Sequence, residues 1–379
     1  MVLNRMNVPY FDLKAQYAEL RSEVCAAIDR VCQNASFILG EEVNRFEESF
    51  ATYCETKHCV ALNSGTSALH LALLSAGVGP GDEVITTANT FVATAEAICY
   101  TGAAPVFTDI EPATGNLDPA LIERAITHRT KAIIPVHLYG RPAALDGILD
   151  IAKRNRLAVI EDACQAHGAR YCGGRVGGFG YAAAFSFYPG KNLGAYGEGG
   201  ALTTNDDAVA QFAREMRSHG ESKRYYHDRI GYNYRMDGFQ GAVLNVKIKY
   251  LDRWTAKRQE FARLYRERLS GSNIRIPDDR SECESVYHLF TPWVQNRNAV
   301  REELARRGVQ TAVHYPVPVH LQKAYSYLGY KSGSLTHTEK ACAEVISMPL
   351  FPEMNREQVL YAAEMLAAVV DSGLSGTAP

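Results

Sequence analysis

Between about residue 59 and residue 204, short apolar runs rich in β-branched residues alternate with stretches whose apolar positions recur at helical spacing. The runs Cys59–Ser64, Glu83–Thr87, Pro105–Asp109, Ala132–His137, Leu157–Asp162, Ala182–Phe187 and Gly200–Thr204 read as seven strands. Between them, Ser67–Ala76, Pro119–Ile126 and Ala144–Arg154 read as helices. The second opens on Asp118 as N-cap with Pro119 in the first helical position. Such alternation predicts an α/β fold with a mostly parallel seven-stranded sheet flanked by helices.

The texture then changes. Gly238–Leu269 is rich in strong helix formers and has no internal proline, which predicts one long helix leading out of the large domain. A strand at Tyr287–Val294, a helix at Ala299–Arg307, a strand at Val309–Tyr315 and a terminal helix at Arg356–Val370 follow, the makings of a smaller α+β domain. The first 45 residues read as helical and are expected to pack back on that domain. A chain of 379 residues is long for one core, so the expected division is 1–250, an N-terminal helical segment with the large domain, and 251–379, the small C-terminal domain. The only low-complexity stretch is a Ser/Gly/Thr/Ala/Pro tail after Asp371.

Composition narrows the function classes. A net charge of −2 gives no reason to expect nucleic acid or an anionic membrane as partner. The nine cysteines are odd in number and form no C-x-x-C pair, so neither a disulfide frame nor a metal site is indicated. No run approaches the roughly 18 apolar residues of a membrane span, and no charged-then-apolar signal pattern opens the chain. The expected location is cytoplasmic.

Candidate chemistry gathers at strand ends. Lys191 follows the apolar run 181–185 in Ser186-Phe187-Tyr188-Pro189-Gly190-Lys191-Asn192, flanked by Gly190 and Gly194. A surface lysine is the bland reading, but a flexible amine after a buried strand suits carbonyl chemistry. Asp162 ends the run 157–162 and is followed by Gln165 and His167. It reads either as a helix cap or as a carboxylate that keeps a pyridine ring protonated, and the pair suggests pyridoxal phosphate. Gln165 is positioned to donate to the ring's phenolic oxygen. In Asn63-Ser64-Gly65-Thr66-Ser67-Ala68-Leu69 a strand passes through glycine into a helix, which is either an ordinary cap by Thr66 and Ser67 or a phosphate cradle, with Ser186 as a second donor. Phe91 after its strand suits ring stacking or core packing. His314-Tyr315-Pro316 suits a substrate pocket or a polar loop, and Tyr225-Tyr226-His227 an exposed loop.

In order, Asn63–Leu69, Asp162-x-x-Gln165-x-His167-Gly168, Ser186-Phe187 with Lys191-Asn192, Gly197-Glu198-Gly199-Gly200, Asn233-Tyr234-Arg235-Met236-Asp237 and His314-Tyr315-Pro316 closely resemble the fold type I pyridoxal-phosphate sugar aminotransferases of the DegT/StrS family. The resemblance spans roughly residues 8 to 370. It implies Lys191 as Schiff-base lysine and proton shuttle, Asp162 at the pyridine nitrogen, Gln165 at the phenolic oxygen and Phe91 against the ring. It implies phosphate contacts from Gly65, Thr66, Ser67 and Ser186, with Asn233 reaching in from the second subunit of a homodimer. His314, Tyr315 and Tyr188 would lie near substrate. The implied reaction takes the amino group of L-glutamate, through pyridoxamine phosphate, to a nucleotide-linked keto-deoxysugar. A dTDP-3-keto-6-deoxyhexose is favoured because His219 to Asp237, with Lys223 and Arg224, resembles enzymes for such sugars and offers cations to a diphosphate. The alternatives are a 4-keto-sugar or keto-inositol aminotransferase. A pyridoxamine-dependent dehydratase is disfavoured because its relatives carry histidine where Lys191 stands. A non-catalytic regulator is disfavoured because all the cofactor positions are filled.

Overall fold

The computed structural model describes residues 6–374; the tail beyond lies outside the described residues. In chain order the elements begin with α1 (Leu13–Gln33), α2 (Glu41–Tyr53), β1 (His58–Leu62), α3 (Gly65–Ser75), β2 (Glu83–Thr87) and α4 (Ala93–Tyr100). Then come β3 (Ala104–Thr108), α5 (Pro119–Ala125), β4 (Thr130–Ile134), α6 (Leu145–Asn155) and β5 (Ala158–Asp162). Two short strands, β6 (Arg170–Tyr171) and β7 (Gly174–Arg175), precede β8 (Ala182–Ser186), β9 (Gly200–Thr204) and α7 (Asp207–Arg217). A small hairpin, β10 (Glu221–Lys223) and β11 (Tyr226–His227), leads to α8 (Gly238–Lys247) and α9 (Leu251–Leu269). The chain closes with β12 (Cys283–Glu284), α10 (Arg297–Arg306), α11 (Thr336–Glu344) and α12 (Arg356–Val369).

The expected sheet is present, with order β1-β9-β8-β5-β4-β2-β3. Only β9 runs antiparallel to its neighbours, β1 and β8. Successive strand residues enter different cores. Val84, Ala132, Ile134 and Ile160 pack under α3 and α7, whereas Ile85, Ile133 and Val159 meet Ile122 of α5 and Ile148 of α6. Burial on both faces explains why these strands read as continuous apolar runs. Asp118 caps α5 as expected, its Oδ1 accepting from Ala120 N at 2.9 Å.

Three expectations are corrected. The long helix breaks after Lys247 into a 3₁₀ turn, Ile248–Tyr250, before α9 begins. The tightening accompanies tertiary contacts that no glycine or proline announces: Lys247 turns inward to Gly194 O at 2.7 Å, and Tyr250 stacks on Trp254. The strands expected at 287–294 and 309–315 survive only as isolated bridges, Phe290 to Met348, Trp293 to Val345 and Arg275, Val309 to Val8 and Ala312 to Ser347. Pro292 lies within the first run and cannot donate to a ladder. The early helices pack mainly elsewhere. Leu20, Val24, Ala27 and Val31 of α1 bury against Ala242, Val243 and Val246 of α8, while Met6 and Val8, ahead of α1, reach the core of α9, α10 and α12.

The end of β5 is held from behind. Glu161 is fully buried, and its carboxylate accepts from the N–H groups of Gly177, Phe179 and Gly180, each at 2.9 Å. His137 Nδ1 accepts from Ala143 N at 3.0 Å, so Nε2 carries the proton donated to Glu161 at 3.1 Å. Burial alone raises the Glu161 pKa, but the bonds from His137 and the backbone outweigh it and hold the carboxyl below the usual range. A depressed acid stabilises the fold above its unfolded pKa, about 4.3, and that contribution fades as pH falls through the lower folded value. Glu161→Gln is expected to cost about 1–3 kcal/mol at pH 7 by urea denaturation. The gap to wild type narrows below about pH 4.

Candidate active site

The sheet ends in a cavity of about 710 Å³ over the carboxyl ends of β5 and β8. Asp162, the last residue of β5, is buried on its wall. Its Oδ2 accepts from Thr94 Oγ1 at 2.7 Å and its Oδ1 from Cys164 N at 3.2 Å. The carboxylate is thus oriented by a hydroxyl and an amide rather than by a cation. Its backbone is fixed too, with Asp162 N donating to Pro135 O at 2.9 Å and His137 N donating to Asp162 O at 3.0 Å.

One end of the cavity is the start of α3. Ser64 is the N-cap, with extended backbone and Oγ accepting from Ser67 N at 3.0 Å. The N–H groups of Gly65 and Thr66 precede any intrahelical acceptor and carry the positive end of the helix dipole. Gly65, Thr66 and Ser186 all line the cavity. A Cβ on Gly65 would meet Cys164 Sγ at 2.6 Å and Ser186 Cβ at 2.9 Å, so only glycine lets the helix approach.

Lys191 sits in the turn after β8, its N–H bonded to Tyr188 O at 2.9 Å. Burial lowers its amine pKa below the ordinary lysine range, with Cys164 and Asp162 pulling the other way. Gln165 is polarised by its neighbours: Oε1 accepts from Tyr139 N at 2.7 Å, and Nε2 donates to Tyr315 Oη at 3.2 Å. Tyr315 stands 5.5 Å from Phe91, ring to ring, and Phe91 keeps an exposed face on the cavity. His314 lines the same wall, with Nδ1 paired to Ser347 Oγ at 2.8 Å and burial pushing its pKa down to about 4. Tyr188 lines the cavity and is exposed.

Ten of the twelve candidate site residues therefore converge on one wall; Ser67 and Asn233 do not line it. Thr66 and Ser67, read as possible caps, are instead the second and third helical residues behind the cap Ser64, and the Ser67 hydroxyl is spent on Asn63 Oδ1 at 2.7 Å. Asn233 is exposed, its Oδ1 accepting from Arg235 Nη2 at 2.8 Å. His167 also lies off the wall, fully buried among Phe50, Phe185 and Phe187, where burial lowers its pKa to about 3. The 225–227 segment is an exposed hairpin rather than a loop, and Lys223 and Arg224 lie over Tyr226 and Tyr225 at its surface. Sequence reading missed Thr94, Tyr10, Arg258 and His288, all on the wall. Thr94 carried one weak signal, Thr90 four residues earlier, whose hydroxyl it meets at 2.8 Å.

Residues 18–367 match the DegT/DnrJ/EryC1/StrS aminotransferase family. The chain belongs to that family. It is similar to the dTDP-3-amino-3,4,6-trideoxy-α-D-glucose transaminase of Streptomyces venezuelae, 46% identical, with 93% of each chain covered. It is 48% identical to a pleiotropic regulatory protein of Geobacillus stearothermophilus, over 96% of this chain and 98% of the other. The crystal structure of S. venezuelae DesV with a ketimine intermediate superposes with a TM-score of 0.95 at 45% identity, over 96% of this chain and 99% of that one. A Streptococcus pneumoniae relative, 27% identical with a TM-score of 0.90 over 97% and 99% of the two chains, has been solved in PLP and PMP forms. This family member is a fold type I, pyridoxal-phosphate-dependent aminotransferase.

The cavity of the aminotransferase fits that cofactor: an anion-seeking helix start and two hydroxyls at one end, a positioned carboxylate, and a half-buried amine. Among the described residues no group of three or more His, Cys, Asp or Glu is placed to hold a metal ion. No described helix is long and apolar enough to cross a membrane. Thr94→Val keeps the side-chain shape and removes the donor to Asp162 Oδ2. It is expected to lower kcat/KM about tenfold without unfolding the protein, while Thr94→Ser restores most of the loss. Steady-state kinetics of the three proteins check this.

Proposed function

We propose that this aminotransferase moves the amino group of L-glutamate to the keto carbon of a nucleotide-linked deoxysugar, at carbon 3 of a dTDP-3-keto-6-deoxyhexose, as a cytoplasmic homodimer with shared sites. The observation that carries the reading is Lys191, a half-buried amine on the same wall as Asp162 and Gly65, the first residue of α3. Pyridoxal phosphate, when bound, supplies an aldehyde for the amino group and a protonated ring that takes up electron density.

The chain's own residues supply the rest. Asp162, aimed by Thr94, holds the proton on the ring nitrogen. Gln165 offers Nε2 to the phenolic oxygen because Oε1 is committed to Tyr139. Phe91 covers the ring face. Gly65, Thr66 and Ser186 take the phosphate, with Asn233 of the second copy completing it. Lys191 Nζ, whose basicity burial lowers, would accept the proton from the amino-bearing carbon of the donor in the first half-reaction and deliver a proton to the carbon being aminated in the second. Transfer of this kind contributes about 10²–10⁴-fold. His314, Tyr315 and Tyr188 face the sugar.

Several relatives named for sugars aminated or oxidised at carbon 3 support that position, among them one acting on dTDP-3-amino-3,6-dideoxy-α-D-galactopyranose. The relatives with regulatory names do not shift the reading, since a regulator has no use for a half-buried lysine beside a positioned carboxylate.

Lys191→Ala is expected to abolish turnover and the visible absorbance of the bound cofactor while the unfolding midpoint stays close to wild type. Normal activity in that variant would sink the assignment. Offered a panel of keto sugars with L-glutamate, the wild-type enzyme should favour a dTDP-3-keto-6-deoxyhexose over 4-keto sugars and keto-inositols. Preference for a 4-keto sugar would move the site of amination, and a fully active monomer would refute the shared site.

A further inference from the structure

We propose that Arg258 and Tyr10 form the subsite that takes a carboxylate of the amino donor. The inference rests on the amino-acid donor proposed above. A glutamate-like donor brings two carboxylates to the cavity wall, and a carboxylate held against partly buried side chains needs a cation with fixed donors. Two basic side chains other than histidine line the wall, Lys191 and Arg258. Lys191 is reserved for the cofactor and for proton transfer. Arg258 is therefore the one permanent cation on the wall among the described residues.

Its geometry leaves one edge of the guanidinium free. Arg258 enters from the middle of α9 and is only 7% exposed. Nη1 makes all its hydrogen bonds, to Leu350 O at 2.8 Å and to Tyr287 O and His288 O at 3.3 Å each. Nε is buried without an acceptor, and Nη2 meets none among the described residues. Those two nitrogens form the edge that a carboxylate engages with two parallel hydrogen bonds. Glu353, whose charge reaches Arg258, forms no ion pair with it and instead accepts from Gln16 Nε2 at 3.2 Å. Burial lowers the Arg258 pKa to about 10, which leaves it charged at neutral pH.

Tyr10 supplies a neighbouring donor. It lines the cavity and stacks on His314, with ring centroids 6.1 Å apart. Its hydroxyl is buried and makes no well-aligned hydrogen bond among the described residues; Ser347, the one hydroxyl near enough to act on it, is already paired with His314 Nδ1 at 2.8 Å. The Arg258 charge acts on that hydroxyl. A buried hydroxyl and a buried guanidinium edge, both unpaired and both on the cavity wall, would be costly without a ligand to satisfy them.

The test compares Tyr10→Phe, Arg258→Lys and wild type, all loaded with cofactor. Arg258→Lys keeps a cation for the Leu350 carbonyl but loses the forked edge. Tyr10→Phe removes only a hydroxyl with no well-aligned partner among the described residues, so it keeps the test open if Arg258→Lys fails to fold. Two quantities are read: KM for each substrate, and the calorimetric Kd for glutarate, an unreactive dicarboxylate. Arg258→Lys is expected to raise the glutamate KM and glutarate Kd about tenfold or more, and Tyr10→Phe several-fold, with the sugar KM within about twofold. Glutamate KM and glutarate Kd unchanged in both folded variants, or in Tyr10→Phe alone should Arg258→Lys not fold, would overturn the subsite. A rise confined to the sugar KM would overturn it as well. Absence of amino-sugar formation by wild type would strike the donor and acceptor assignment instead, and glutarate binding would then decide the subsite alone.

Discussion

A methyl group on Gly200 would lie 2.2 Å from the carbonyl carbon of Ser64, and one on Gly65 would fall inside the contact distances of Cys164 and Ser186. The turn from β1 into α3 is thus pinched between the end of β8, the start of β9 and the residues just past β5, with no space for a side chain at either glycine. This closeness brings the first N–H groups of α3 to the cavity that holds the carboxylate of β5 and the amine beyond β8. A helix start set back by even one methyl group would separate the anion-seeking end of the site from its acid and its amine.

Within that pinch the protein separates charge by burial. Burial lowers the basicity of the Lys191 amine from the ordinary lysine range, with Cys164 and Asp162 opposing the shift. Asp162 is oriented by Thr94 and a backbone amide. Behind it the Glu161 network locks β5 to the loop at 177–180, so the acid rests on a braced strand. Imidazoles crowd the far side, and burial keeps His288 and His314 neutral. That arrangement gives Arg258, whose Nη1 is anchored to three backbone carbonyls, the permanent positive charge on the wall.

The sheet was legible because both of its faces are covered, so every strand left an unbroken apolar run. Asp162, Lys191 and Ser186 were legible because parallel strands deliver their last residues to one edge. Contacts made by tertiary closure left no such trace. Thr94 lies 68 residues from the carboxylate it aims, and Arg258 reads as one more cation on a charged helix until the cavity is seen. The break after Lys247 was hidden because a 3₁₀ turn needs neither glycine nor proline. The strands around 290 and 312 were over-read because their apolar alternation is real, yet each pairs at only scattered positions. The early helices were misplaced because an amphipathic face states that it will be buried without stating against what.

The central claim is that one enclosed amine, at position 191, makes the covalent link to the cofactor. Reduction of the cofactor-loaded protein with borohydride, followed by peptide mass spectrometry, tests it most directly. The account predicts the added mass on the peptide bearing Lys191 and on no other. A loaded protein that gives no stable adduct, or carries it on a different lysine, would contradict it.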